Sequence, residues 1–164
     1  MKTLLILRHA KSSWKYTNLS DHKRPLNKRG KKAAPLMGQL LYEQDLVPDI
    51  ILSSTARRAQ DTAEIVAEAS GFEGEIYYLD DLYHGWPSDY IEALRSLSDE
   101  IDSVMVVGHN PGLESFLELL TGAGEHFPTA ALAYIRLPIQ AWSKLNDETE
   151  GDLLDLWLPR QLEG

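Results

Sequence analysis

Three short apolar runs in this 164-residue chain end in residues that chemistry can use and a core cannot. Thr3–Leu7 ends at Arg8-His9, and Asp49–Leu52 passes through Ser53-Ser54 to Arg57-Arg58. Ser103–Val107 ends at Gly108-His109-Asn110. Arginine presents a planar fork of donors that matches phosphate oxygens. A histidine kept neutral by neighbouring positive charge can attack phosphorus, giving a phosphohistidine that water then hydrolyses. The arginines and a second histidine would stabilise charge on the transferring phosphoryl group. Asn110-Pro111 opens a helix, with proline expected at its first position, and the helix start favours a nearby anion. Paired histidines also serve zinc, but catalytic zinc usually takes a third protein ligand, and arginines beside a metal are unfavourable. No metal is expected. The pattern leaves open which histidine attacks.

These residues must be positioned by an alternation of strands and helices. Thr3–Leu7, Asp49–Leu52, Glu75–Leu79 and Ser103–Val107 read as strands, the first a near-continuous apolar run suited to burial on both faces. Between them, helices are expected from an Asn27 cap to about Tyr42, from Ala56 to Ala69 closed by Gly71, from Ser88 (near its cap) to Leu97, and onward from Asn110-Pro111 to about Leu120. Ala131–Leu137 and Leu153–Leu158 read as an antiparallel hairpin at one sheet edge. The fold class expected is α/β, a three-layer α/β/α sandwich with a mixed, mostly parallel central sheet, as one domain over residues 1–164. Ligands in such open sheets bind at the carboxyl ends of the strands. Three segments thus deliver two histidines and at least two arginines to one edge.

The bulk composition narrows the classes. There are no cysteines, so disulfides, thiolate zinc sites and a cysteine nucleophile are excluded. A net charge of −9 argues against a general nucleic-acid binder and makes a local positive cluster more informative. The apolar run before Arg8 is too short for a signal-peptide core or a membrane span. A cytoplasmic protein with no membrane partner is expected.

Leu5-Ile6-Leu7-Arg8-His9-Ala10-Lys11 resembles the first motif of the histidine phosphatase superfamily, which includes phosphoglycerate mutases and acid phosphatases. Its hallmark is Arg-His-Gly; Ala10 departs from it in the manner of the small SixA-like phosphohistidine phosphatase branch. Asp21-His22-Lys23-Arg24-Pro25-Leu26 through Arg29-Gly30 resembles the segment leading into that branch's first helix. Ser54-Thr55-Ala56-Arg57-Arg58-Ala59-Gln60-Asp61-Thr62 is similar to the family pattern Ser-x-x-x-Arg-Ala-x-x-Thr. Val106-Val107-Gly108-His109-Asn110-Pro111 resembles the second histidine motif, and Pro128–Ala133 a late run of small members. The resemblance implies His9 as nucleophile, Arg8, Arg58 and His109 as the rest of the phosphate pocket, Arg57 as a surface neighbour, and no cofactor; Asn110, next to His109, is expected to bind phosphate as well.

Larger members carry an acid that protonates the leaving group. Here Leu79–Trp86 gives no clear match, with Asp80 or Asp81 as candidates and His84 and Trp86 as candidates for the substrate entrance. An alkoxide leaving group needs a positioned donor more than an imidazole does. The chain is also short for the lid insertions of a mutase. Both points favour phosphorylated protein, specifically phosphohistidine, over a small phosphorylated substrate; a phosphate-binding module without catalysis is the other reading. His22 is expected in a solvated loop, with Arg24 and Lys11 as further sources of positive potential. His126 is expected in a loop, and Trp142 and Trp157 in packing.

Overall fold

The computed structural model describes residues 1–163. Six strands form one sheet: β1 (Lys2–Arg8), β2 (Ile50–Ser54), β3 (Glu75–Leu79), β4 (Ser103–Gly108), β5 (Leu132–Leu137) and β6 (Asp152–Trp157). Their spatial order is β3-β2-β4-β1-β5-β6. The first four neighbours run parallel, whereas β5 is antiparallel to both β1 and β6. The sheet is therefore mixed and mostly parallel, and the late pair is the expected edge hairpin.

Leu4, Leu5, Ile6 and Leu7 are all fully buried because β1 lies inside the sheet with both faces covered. Successive residues point to opposite faces. Leu4, Ile6, Val104 and Val106 thus enter one core, and Leu5, Leu7, Met105 and Val107 the other. Helices α1 (Lys28–Glu43) and α2 (Arg57–Ser70) cover the second core, while α3 (Pro87–Arg95) and α4 (Gly112–Thr121) cover the first. The result is a three-layer α/β/α sandwich.

The Asn27 side chain caps α1 by accepting from the Gly30 amide at 2.8 Å. Gly71, at φ 75°, closes α2 in the left-handed conformation. Two expected helix starts move. Pro87, not Ser88, opens α3, and the preceding Trp86 amide donates to the Asp89 carboxylate at 2.8 Å. Pro111 stands just before α4, whose first residue is Gly112. A short α5 (Pro159–Leu162) follows β6 and was not foreseen, because Pro159 fits a first helical turn that carries little periodic signal. Among the described residues no helix is long and apolar enough to cross a membrane.

Candidate active site

In the order β2-β4-β1 the three chemistry-bearing strands are adjacent, so their carboxyl ends converge. Arg8 is paired with Gly108, and the His9 amide donates to the Gly108 carbonyl at 3.1 Å. His9 and His109 therefore leave the sheet side by side, with ring centroids 5.0 Å apart. Only 6% of His9 and 8% of His109 is exposed.

The hydrogen bonds set each ring's tautomer. His9 Nδ1 lies 2.7 Å from the Ala10 carbonyl, which can only accept. Nδ1 therefore carries the proton and Nε2 keeps its lone pair. His109 Nε2 lies 2.8 Å from Ser54 Oγ. That hydroxyl also accepts from the Ala56 amide at 3.1 Å and is free to donate its own proton to Nε2. With Ser54 as donor, the ring proton of neutral His109 sits on Nδ1.

The cations are held from outside. Arg58 donates from Nη1 to the Asp21 carbonyl at 2.9 Å and from Nη2 to the Asp21 carboxylate at 3.1 Å. Arg8 Nη1 donates to the Phe127 carbonyl at 3.2 Å. Arg8 Nε, Arg58 Nε and His109 Nδ1 are buried donors with no partner among the described residues. Buried polar groups are nearly always satisfied, so unpartnered donors on the cations and the second histidine that neighbour His9 are available to an anion's oxygens. A cavity of about 290 Å³ adjoins them, lined in part by Arg58, His109, Tyr83, His84 and Trp86 but by neither His9 nor Arg8. Close packing at its base requires Gly108: a Cβ there would lie 2.0 Å from the Tyr90 hydroxyl.

Burial lowers the pKa of His9 to about 3, with the Arg58, Arg8 and Arg24 charges adding to the effect. His109 is lowered to about 2, again first by burial and then by His9 and Arg58. Neighbouring charge was expected to keep His9 neutral; desolvation is the larger cause. Burial also lowers Arg8, partly opposed by Glu114. Burial alone would raise the Asp21 carboxyl, but the Tyr83 hydroxyl at 2.6 Å, Arg58 and Arg24 together hold it down at about 2.

Several expected residues fall elsewhere. Asp80 and Asp81 are exposed and do not line the cavity over the histidines; Asp81 lines a separate one beside α3. Asn110 lines the cavity, but its amide donates to Glu114 at 2.8 Å and to the Phe127 carbonyl at 2.7 Å, so its side-chain N–H groups are not offered to a phosphate. His22 is half-buried rather than free in solvent: Nε2 lies 3.0 Å from Thr55 Oγ1 and the ring meets Tyr83 edge-on. His84 and Trp86 do line the cavity. Arg57 points outward to Asp61 at 3.6 Å while Arg58 is buried, which separates these neighbours. Arg24 is buried, donates to Ser12 Oγ at 2.7 Å and stacks under Trp14 at 3.6 Å. Lys11 is exposed, and His126 is an exposed loop residue 3.5 Å from Glu114.

Sequence reading missed the residues that hold the cations. Asp21 was visible as an acid three positions before Arg24, yet nothing local connects it to Arg58. Thr62 accepts from the Ala10 amide at 2.9 Å and donates to the Arg58 carbonyl at 2.7 Å, tying α2 to the loop after His9. The Ala130 amide, at 3.1 Å from both the Arg8 and His9 carbonyls, pins the same loop from the other side.

The family model of the histidine phosphatase superfamily (branch 1) matches residues 4–83. A chloroplastic protein of Arabidopsis thaliana of uncharacterised function is 31% identical over 152 residues, spanning 87% of this chain and 70% of that protein. A structure from Agrobacterium tumefaciens, assigned as a SixA phosphohistidine phosphatase, superposes with a TM-score of 0.83 at 30% identity, covering 96% of this chain and 98% of that one. This chain belongs to the histidine phosphatase superfamily. Its SixA-like branch is shown by that neighbour and by a second structure so assigned, from Nakamurella multipartitia, with a TM-score of 0.84, 28% identity and 96% coverage of both chains. Superfamily membership and fold together support a phosphatase enzyme.

Proposed function

We propose that the chain hydrolyses protein phosphohistidine through a phosphorylated His9, without a metal. The observation that carries this reading is the His9 ring itself. Its Nδ1–H is engaged by Ala10, its Nε2 is left unprotonated, and Arg8, Arg58 and His109 beside it carry unpartnered nitrogens. The Nε2 lone pair attacks phosphorus as the bond to the leaving nitrogen breaks, and the leaving ring, protonated on its other nitrogen, departs as neutral imidazole. Water then attacks the phosphorus of phospho-His9, its proton passing to the inorganic phosphate that is released, and the His9 ring returns to its neutral form. The two arginines and His109 Nδ1–H neutralise the equatorial oxygens in both steps. The surrounding cations make a metal ion unnecessary for that charge.

The leaving group follows from the acids at hand. Among the described residues no carboxyl side chain lines the cavity, and Asp21 is held ionised. An imidazole leaving group tolerates this better than an alkoxide. One observation favours a small phosphoester instead: His84 lines the cavity and could deliver a proton. Turnover of a phosphohistidine peptide and of an aryl phosphate, with chelator present, tests both readings. His9→Ala should abolish both, by about a thousandfold or more. Undiminished turnover in that variant would overturn the nucleophile, and no turnover by the parent would leave a binding module. A His84→Ala loss confined to alkyl esters would favour the small-ester reading.

A further inference from the structure

Outside the active site, positive charge is concentrated in one place. Eight of the chain's 16 lysines and arginines lie between Lys11 and Lys32, against a single acid, Asp21, in a chain whose net charge is −9. This segment builds a groove of about 470 Å³, lined by Lys15, Lys28, Arg29 and Lys31 with Tyr16 and Leu26, and by no acidic side chain. None of these four cations makes an ion pair within 4 Å among the described residues, although Lys31 lies close enough to Asp61 to influence it.

The arrangement works against the helix that carries it. Lys28, Arg29 and Lys31 occupy the first turn of α1, which holds no acid. Cations there oppose the helix dipole, so the placement weakens α1. Local choices that conflict with the fold concentrate where function requires them.

The groove is joined to the catalytic loop. The Ser13 amide donates to the Pro25 carbonyl at 2.8 Å and the Asn27 amide to the Lys11 carbonyl at 3.0 Å, so its two walls are stitched together directly after His9. Arg29 also lines a second cavity of about 430 Å³ of mixed charge, shared with Lys11, Arg160, Glu125, Glu163 and Thr129. The acid-free groove therefore adjoins, through Arg29 and Lys11, the segment next to the loop that pins His9.

We propose that this groove docks an acidic segment of the phosphorylated protein, beside the phosphohistidine presented to His9. The inference rests on the proposed function for its substrate. A polypeptide fits better than a nucleic acid, because the exposed Tyr16 ring supplies apolar contact beside the charges and the remainder of the surface would repel a long polyanion. Docking of this kind raises encounter rate and selectivity at low salt.

A synthetic acidic peptide containing one histidine, and its Glu→Gln counterpart, provide the probes. With both phosphorylated by phosphoramidate, the parent should show kcat/KM about tenfold higher for the acidic form at low salt, and the preference should fade as salt rises. The Lys15→Glu/Lys28→Glu/Arg29→Glu variant should lose that preference while turning over an aryl phosphate normally. Calorimetric titration with the unphosphorylated peptides reads the groove without chemistry: the parent should bind the acidic peptide more tightly, and the variant should not. Equal binding of the two peptides by the parent overturns the groove. If neither phosphopeptide is turned over but the binding difference persists, the substrate reading fails and the groove stands. Tighter binding of a single-stranded oligonucleotide than of the acidic peptide would replace the protein partner with a nucleic acid.

Discussion

The two arginines over His9 are held in opposite ways. Arg58 is gripped by both the backbone carbonyl and the carboxylate of Asp21, and that carboxylate is shared with Arg24 and Tyr83 in a half-exposed cluster. Arg8 is gripped by the Phe127 carbonyl, which also takes Asn110, while the nearest acid, Glu114, accepts from Asn110 and the Phe127 amide instead. A carboxylate orients a guanidinium strongly but cancels part of its charge. A carbonyl orients it without neutralising it, and the charge is balanced one residue further out. We infer that the Arg58 side supplies precision and the Arg8 side supplies potential.

That contrast can be broken or sharpened by substitution. Arg8→Ala and Arg58→Ala should each lower kcat/KM for a phosphohistidine peptide by about a hundredfold to a thousandfold, the scale of losing one preorganised charge donor. Steady-state kinetics would check this, and a loss below tenfold in either would remove that arm from the site.

The next effect concerns stability and separates burial from charge. The His9 and His109 pKa values are depressed to about 3 and about 2. Between those values and the ordinary 6.5, the unfolded chain binds protons that the folded chain does not. Stability should therefore fall as pH drops below about 6.5, with each histidine contributing up to about 1.4 kcal/mol per pH unit. Denaturant unfolding across pH should show His9→Gln or His109→Gln removing one proton's share of that slope. Arg58→Met should remove little, because burial leads. A large flattening in Arg58→Met would reverse the order of causes. The same depression predicts that the acid limb of kcat/KM lies well below pH 6.5, since the proposed nucleophile is the neutral ring.

Smaller still is Asp21→Asn, which keeps the shape and loses the charge. It should lower kcat/KM about tenfold through misplacement of Arg58, and a doubled substitution with Arg58→Ala should cost little beyond Arg58→Ala alone. Additive losses would mean Asp21 acts elsewhere. Arg57→Ala, one residue away and outward, should leave kcat/KM within twofold of the parent.

Much of this was legible in the chain. The strands were legible because burial on both faces leaves unbroken apolar runs, and Asn27 and Gly71 mark helix ends by local chemistry. The motifs around His9, Arg58 and His109 were legible because each is contiguous, and the structure brings all three segments together. Whether the candidate donors Asp80 and Asp81 reach the cavity was not legible, since a strand end followed by acids looks the same in either case; neither lines it.

The sequence by itself determined the chemistry on offer: an imidazole and guanidinium groups at the ends of strands that must be central. Tertiary structure alone decided how those groups are used. Asp21 meets Arg58 across 37 residues, and Phe127 meets Arg8 across 119. The tautomer of His109 depends on Ser54, 55 residues away, and the neutrality of both rings on how deeply the assembled sheet buries them. Residue type and short spacing travel with the chain, whereas desolvation and long-range partners exist only once three strand ends stand side by side.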